Sequence, residues 1–446
     1  MTLSSSLLYA FRLFFTKRKN EKSLGRKTLS GAMICIAISL IPLVCVKSVS
    51  DAMVNAMTER LIGLSSLDIR IQLESGNEDC KSEKNMLLVK DRALTVPGLK
   101  YGFAEVQGTG LAAGKNYRTG ACIRGIEKNL FETSPEFSKL LEVKEGKASF
   151  SNARSAVLCQ KIANDLNLHA GDTFTLLTLK KSPSGKNLPQ FSVFKVEGIV
   201  SSGYQELDAL WVFIPMDSAI KILDSSSALN FICLKADDSF SVKMKETASN
   251  VRNELSSFSD EKKEIGPFHL ATWDVLYASK MDNFASTKLM ILLVIVIVVL
   301  VASVNISSAI IMLVMERKKE IAILKSLGAS SGGIAFSFMT ASFLCSLGGC
   351  IIGIPLGIAA ALNANRLIAF AQAVVNFFAR IFSAGKEFVE IELLSPSFYI
   401  QNVHVTIEFS TVLIVFIATL LLSLLVSFIP SIKAGREKPI ETLRKM

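Results

Sequence analysis

Apolar and polar positions follow three spacings along this chain. In four stretches, 28–49, 288–315, 333–364 and 409–430, apolar residues run almost unbroken. A run of about 18 or more is long enough for a helix to cross a bilayer. "LMILLVIVIVVLVASVNISSAIIMLV" in the second stretch is the clearest, whereas glycines and Pro355 interrupt the third. The first is placed like a secretory leader. Its apolar part is too long, however, and no small-x-small cleavage pattern follows, so a retained anchor is expected.

Between residues 50 and 287 the spacing shortens to two. "LDIRIQL" (67–73) alternates as a half-buried strand does, and "ESGNEDCKSEKN" (74–85) reads as a polar loop. Further strands are predicted near 101–107, 117–125, 155–159 and 173–180. A short helix is predicted over "QKIANDLNL" (160–168), and Gly171-Asp172 turns the chain. "FTLLTLK" and "FSVFKVEGIV" flank "SPSGKNLPQ" (182–190), a hairpin tip holding Pro183, Gly185 and Pro189. After it come "ALWVFIP", a helix near 216–223, "NFICLKA", a polar helix near 239–256, and a helical lead into the second apolar run. The fold class predicted is an α-helical membrane protein with four transmembrane helices. A large mixed α+β extracytoplasmic domain lies between the first and second.

The third spacing is four. Gly349, Gly353, Gly357 and Ala361 form a stripe of small residues in the third apolar run, the type that lets membrane helices pack backbone to backbone.

Charge sets the orientation. The net charge of +10 is concentrated in short flanks: residues 1–27 hold seven Lys/Arg and one acid, 315–333 four and two, and 431–446 five and two. The segment 50–287 holds 28 basic and 30 acidic residues. Short Lys/Arg-rich flanks stay in the cytoplasm. This places the N-terminal segment 1–27, the loop 316–332 and the tail 431–446 inside, and 50–287 and 365–408 outside. The basicity thus reports topology rather than nucleic-acid binding. "SSLLYAFRLFFT" (5–16) before "KRKNEKSLGRK" suits the inner membrane interface.

Catalytic patterns are missing. His169, His269 and His404 are far apart, and there is no H-E-x-x-H, paired-Cys metal signature or G-x-S-x-G. Cys35, Cys45, Cys345 and Cys350 fall in the apolar runs. Cys80, Cys122, Cys159 and Cys233 are scattered, could pair in three ways, and are expected as buried free thiols. "GTGLAAGKN" (108–116) misses the phosphate-loop spacing by one residue and has Asn116 where the hydroxyl belongs. Asp and Glu are absent from the four apolar cores, so a proton relay is not expected. A non-catalytic subunit without its own cofactor, driven by a partner, is the expectation.

Several stretches resemble the permease subunits of lipoprotein-releasing ABC transporters, the LolC/LolE family, within a superfamily that includes macrolide-exporter and cell-division permeases. They are "KTLSGAMICIAISLIPLVCV", "SAVLCQKIANDLNLHAGDTFTL", "FKVEGIVSSGYQELDALWVFI", "SFIPSIKAGREKPIETLRK" and above all "NISSAIIMLVMERKKEIAILKSLGAS". The resemblance implies a coupling helix in the 316–332 loop that docks on a separate ATPase dimer, which binds ATP and Mg. Glu316, Lys319, Glu320, Ile321, Leu324, Lys325, Leu327 and Gly328 would form it. Ile321, Leu324 and Leu327, three apart, can make an apolar ridge, and Gly328 can stop the helix. The alternative is an interfacial helix held by headgroups. The resemblance also implies a second permease subunit, identical or related, a lipoprotein substrate, and a hairpin that meets a periplasmic lipoprotein chaperone through Pro183, Gly185, Lys186, Asn187 and Pro189. An ordinary turn is the alternative there. Rival functions are a cell-division-type mechanotransmitter that couples an ATPase to an external wall hydrolase, and another exporter permease.

Overall fold

The structure is a computed structural model and describes residues 8–11, 24–73, 82–182, 186–224, 227–261, 267–382 and 409–436. It divides into two compact units. In chain order the elements are α1 (Leu24–Leu61), a π-helical turn (Ile62–Ser66), β1 (Ile69–Leu73), α2 (Glu83–Ala93), β2 (Leu99–Ala113), β3 (Arg118–Ile126), β4 (Glu142–Gly146), β5 (Ser155–Cys159), α3 (Gln160–Leu166), β6 (Thr173–Lys181) and β7 (Asn187–Ser201). They continue with β8 (Trp211–Pro215), α4 (Met216–Ile222), β9 (Leu229–Ala236), α5 (Val242–Glu261), β10 (Phe268–Thr272), α6 (Ala278–Glu316), α7 (Lys318–Ser326), α8 (Ser331–Leu362), α9 (Ala364–Phe382) and α10 (Phe409–Arg436).

One unit, residues 54–283, is built on a ten-stranded mixed sheet ordered β10-β1-β9-β2-β3-β8-β5-β7-β4, with β6 pairing β2 and β7. The β3–β8 and β5–β7 pairs are parallel and β5–β8 is antiparallel. Strands β5 and β8 are buried at every position, as uninterrupted apolar strands require when both faces are covered. One core joins Ile71, Ile123, Leu158, Ile214 and Leu234 to Met86 and Val89 of α2 and Val251 of α5. The second gathers Leu61, Leu64 and Leu67 with Phe103, Phe131, Phe137, Trp211 and Phe213. Its rings meet edge to face, with Phe103 and Phe137 5.5 Å apart at 71°, the arrangement that ring quadrupoles favour.

The second core encloses an ion pair. Arg124 and Glu105 are both fully buried, with Arg124 Nε donating to Glu105 Oε2 at 2.9 Å. The guanidinium lies 4.3 Å from the Trp211 ring centroid, and Nη1 donates to the Leu64 carbonyl at 2.7 Å. Gln107 donates to the other carboxylate oxygen at 2.7 Å. Burial works against the charged guanidinium, but Glu105 overcomes this and the Arg124 pKa rises. The bond to Leu64 holds the π-helical turn, which ends at Leu67 with φ 51°. A buried leucine at positive φ with ψ −155° is in a costly conformation, kept by the contacts around it. Burial also pushes the thiols of Cys159 and Cys233 well above their usual range. All seven described cysteines are free, while Cys80 lies outside the described residues.

The other unit holds the described residues before 54 and after 283. Helices α1, α6, α8 and α10 carry stretches long and apolar enough to cross a membrane. At 38 and 39 residues, α1 and α6 are about 57 Å long, nearly twice a ~30 Å hydrocarbon core. The apolar runs marked where hydrocarbon would end, but nothing there obliges a helix to stop. Near the end of its apolar run α1 pairs Lys47 with Asp51, and Thr411 of α10 donates to the same carboxylate at 3.4 Å. The segment 365–408, expected as a loop, includes α9, and its remainder from 383 lies outside the described residues.

Removing one member of a buried pair strands the other charge. Arg124→Met should therefore destabilise the 54–283 unit by about 3–5 kcal/mol, and the double change Arg124→Met with Glu105→Leu by less. Denaturant unfolding of the purified chain, followed by tryptophan fluorescence, measures both.

Candidate functional site

The segment between α6 and α8 is the candidate site. Helix α6 ends at Glu316 and Arg317 breaks the geometry (φ −94°, ψ 14°), so α7 starts in a new direction. Arg317 Nη1 donates to Glu320 Oε1 at 2.5 Å across one turn. Gly328 stops α7 at φ +90°, as the left-handed exit demands, and Ser330 caps α8 by accepting from the Gly333 N–H at 3.2 Å. Tyr9 packs against this membrane core. Burial, reinforced by the Glu320 charge, pushes its hydroxyl up to about 12.

The phase of α7 differs from the expected ridge. Ile321 is fully buried in the chain's own membrane core with Ala322 beside it, and Leu324 is half-buried. The exposed stripe is Lys319, Ile323 and Leu327, with Leu327 80% exposed. Residues 321–324 are Ile-Ala-Ile-Leu, a run covering most of the helix circumference, so spacing alone could not choose the outward face. Ile321 is packed into the chain's own core, and Ile323, unnoticed in the sequence, is exposed instead. Glu316 is exposed and Lys325 half-buried. A shallow apolar groove lined by Ile311, Met312 and Met315 lies at the adjoining end of α6.

The small-residue stripe of α8 faces α1. A Cβ on Gly353 would stand 2.8 Å from the Ala37 carbonyl oxygen and 2.9 Å from its Cα. One on Gly349 would meet Ile36 at 2.8 Å, and one on Gly357 would meet Val44 at 2.8 Å. Ala361 is fully buried. The main chains of α1 and α8 therefore touch where side chains would otherwise separate them.

The predicted hairpin is the β6–β7 pair, in register from Thr173↔Lys195 to Lys181↔Asn187 and closed by Ser182 N–H donating to the Lys186 carbonyl at 2.8 Å. Lys186, Asn187 and Pro189 are exposed, while Pro183 and Gly185 lie outside the described residues. An outward apolar ladder escaped sequence reading: Leu179 opposite Pro189, with Phe191 and Val193 exposed on the same face of β7 and Leu188 exposed on the other. "FSVFKV" places apolar residues in both phases of the strand, Phe194 and Val196 inward and Phe191 and Val193 outward. "GTGLAAGKN" lies in β2 and its turn, where Gly114 N–H donates to the Tyr117 carbonyl at 2.9 Å. His169 sits 3.2 Å from Glu145, His269 lies on β10, and His404 is outside the described residues. Among the described residues no three His, Cys, Asp or Glu gather as a metal site.

Residues 292–439, most of α6 through α10, match the family model described as FtsX-like permease C-terminal. Over 329 residues the chain is 25% identical to the lipoprotein-releasing system transmembrane protein LolE of Haemophilus influenzae, covering 72% of this chain and 71% of that one. Residues 292–439 form an FtsX-like permease domain. The chain is also 22% identical over 354 residues to LolC of Xylella fastidiosa, covering 79% of each. The periplasmic region of MacB from Actinobacillus actinomycetemcomitans aligns with a TM-score of 0.32 at 14% identity, covering 50% of this chain and 95% of that one. Helix α7 lies inside the matched region.

The glycine contacts separate two outcomes. Gly353→Ala would press on α1 main chain and should destabilise the membrane unit by about 1–3 kcal/mol. Gly348→Ala would meet the flexible end of Met33 at 2.6 Å and should cost much less. Thermal stability in detergent, read by size-exclusion chromatography, compares them.

Proposed function

We propose that this chain is an ABC transporter permease that extracts lipoproteins from the bacterial inner membrane for delivery to the outer membrane, using a separate ATPase dimer and a second permease subunit. The reading is carried by α7. It is a short helix between two membrane-length helices, moored inward by Ile321 and offering Lys319, Ile323 and Leu327 outward. The LolE and LolC relatives, matched over about three quarters of the chain, support the choice of cargo. Both termini and α7 would be cytoplasmic and the 54–283 unit periplasmic, in keeping with the flank charges. ATP binding would close the ATPase dimer, α7 would carry that motion to the spans, and a triacylated lipoprotein held between α1 and α6 would be pushed outward. The exposed β6–β7 hairpin would pass it to a periplasmic chaperone. No covalent step falls to this chain.

Two experiments test the reading. If Leu327 fills a groove in the ATPase, its burial contributes about 1.5–3 kcal/mol. Leu327→Asp should then lower ATPase retention on purification by roughly 10- to 100-fold while the protein still inserts. Full retention would end the docking claim. Replacing 184–188 with Gly-Ser residues should leave ATP hydrolysis intact and slow transfer of a triacylated lipoprotein from reconstituted vesicles to a soluble acceptor. A complex that retains its ATPase yet releases no lipoprotein under any condition would favour the mechanotransmitter.

A further inference from the structure

Helix α9 has no role in the transport reading. Asn363 alone separates it from α8, and it runs for 19 residues from Ala364. At 100° per residue, Asn365, Gln372, Asn376 and Arg380 fall on one narrow stripe, with Ala369 and Ala373 between them. The opposite arc, about 200° wide, carries Leu367, Ile368, Phe370, Val374, Val375 and Phe377, followed by Phe378 and Ile381. Phe370 is 69% exposed and Phe377 61%, and Leu367, Phe378 and Ile381 are also exposed.

We propose that α9 lies flat in the headgroup layer of the membrane at the C-terminal end of α8, its apolar arc in the acyl chains and its polar stripe in water. Three observations point to lipid. First, α9 is not among the helices apolar enough to cross a bilayer: its stripe would put four polar side chains into hydrocarbon, whereas lying flat leaves them wet. Second, the apolar arc is wider than a seam between two helices uses. It is continuous in sequence with the outward apolar surface of α8, where Ile351, Leu356 and Leu362 are exposed. Third, the helix carries Arg366 and Arg380 and no Asp or Glu, a charge complementary to anionic phospholipid.

The test places a photoreactive group on each face of the full chain. Phe370→p-benzoylphenylalanine, Phe377→p-benzoylphenylalanine and Asn376→p-benzoylphenylalanine proteins are reconstituted in vesicles of phosphatidylethanolamine and phosphatidylglycerol, then irradiated. Intact-mass measurement should show one-phospholipid adducts from positions 370 and 377, in several-fold higher yield than from 376. A doubled mass would assign the face to a second copy of the chain. An intrachain cross-link mapped by peptide mass would assign it to another segment of this chain. Either result, or equal lipid yields from both faces, overturns the proposal.

Discussion

Arg124 decides how the second core of the 54–283 unit can be built. Its guanidinium joins the Glu105 carboxylate, the Trp211 ring and the Leu64 carbonyl inside an otherwise apolar cluster. A charge so placed is tolerable only when every partner is present. The partners therefore specify each other: β2 and β3 must keep their register, β8 must bring Trp211 alongside, and the π-helical turn must aim a carbonyl inward. The turn in turn sets Leu67 at a positive φ, from which the chain enters β1.

In the membrane unit the comparable constraint is steric. Gly349, Gly353 and Gly357 let α8 approach α1 until main chain meets main chain, and α10 packs along α8, with Gly435 close to Ser331. Ile321 then ties α7 into the same core. The outward stripe of α7 is thus defined by what the inward side has already taken up. A helix of nine residues would be marginal alone; here its orientation comes from one buried isoleucine and the Gly328 stop.

Much of this was legible in the sequence, for identifiable reasons. Strands buried on one or both faces announced themselves through alternation or continuous apolar runs, as in β1, β5 and β8. The α7 segment was expected from the family resemblance, with Gly328 as its stop, and the α8 stripe was visible from its regular spacing. The phase of α7 was hidden because four successive apolar residues offer every direction at once. Strand β4, exposed at all five positions, is held to β7 by backbone bonds and has no side-chain pattern to find. Helix α2 starts inside what read as a polar loop, with Ser82 as its cap. Helix α9 was overlooked because its polar stripe lowers its average hydropathy, although the spacing of Asn365, Gln372, Asn376 and Arg380 was present in the sequence.

The contact between α1 and α8 also governs how this chain can diverge. At Gly353 the obstacle to any side chain is the Ala37 carbonyl oxygen and Cα, which every amino acid at position 37 would carry. No compensating side-chain change in α1 can make room, so a larger residue at 353 requires the two helices to move apart. At Gly348 the obstacle is the end of Met33, and a shorter residue there removes it. Two glycines five residues apart in one helix therefore have different evolutionary freedom, one tied to a main chain and the other to a replaceable side chain.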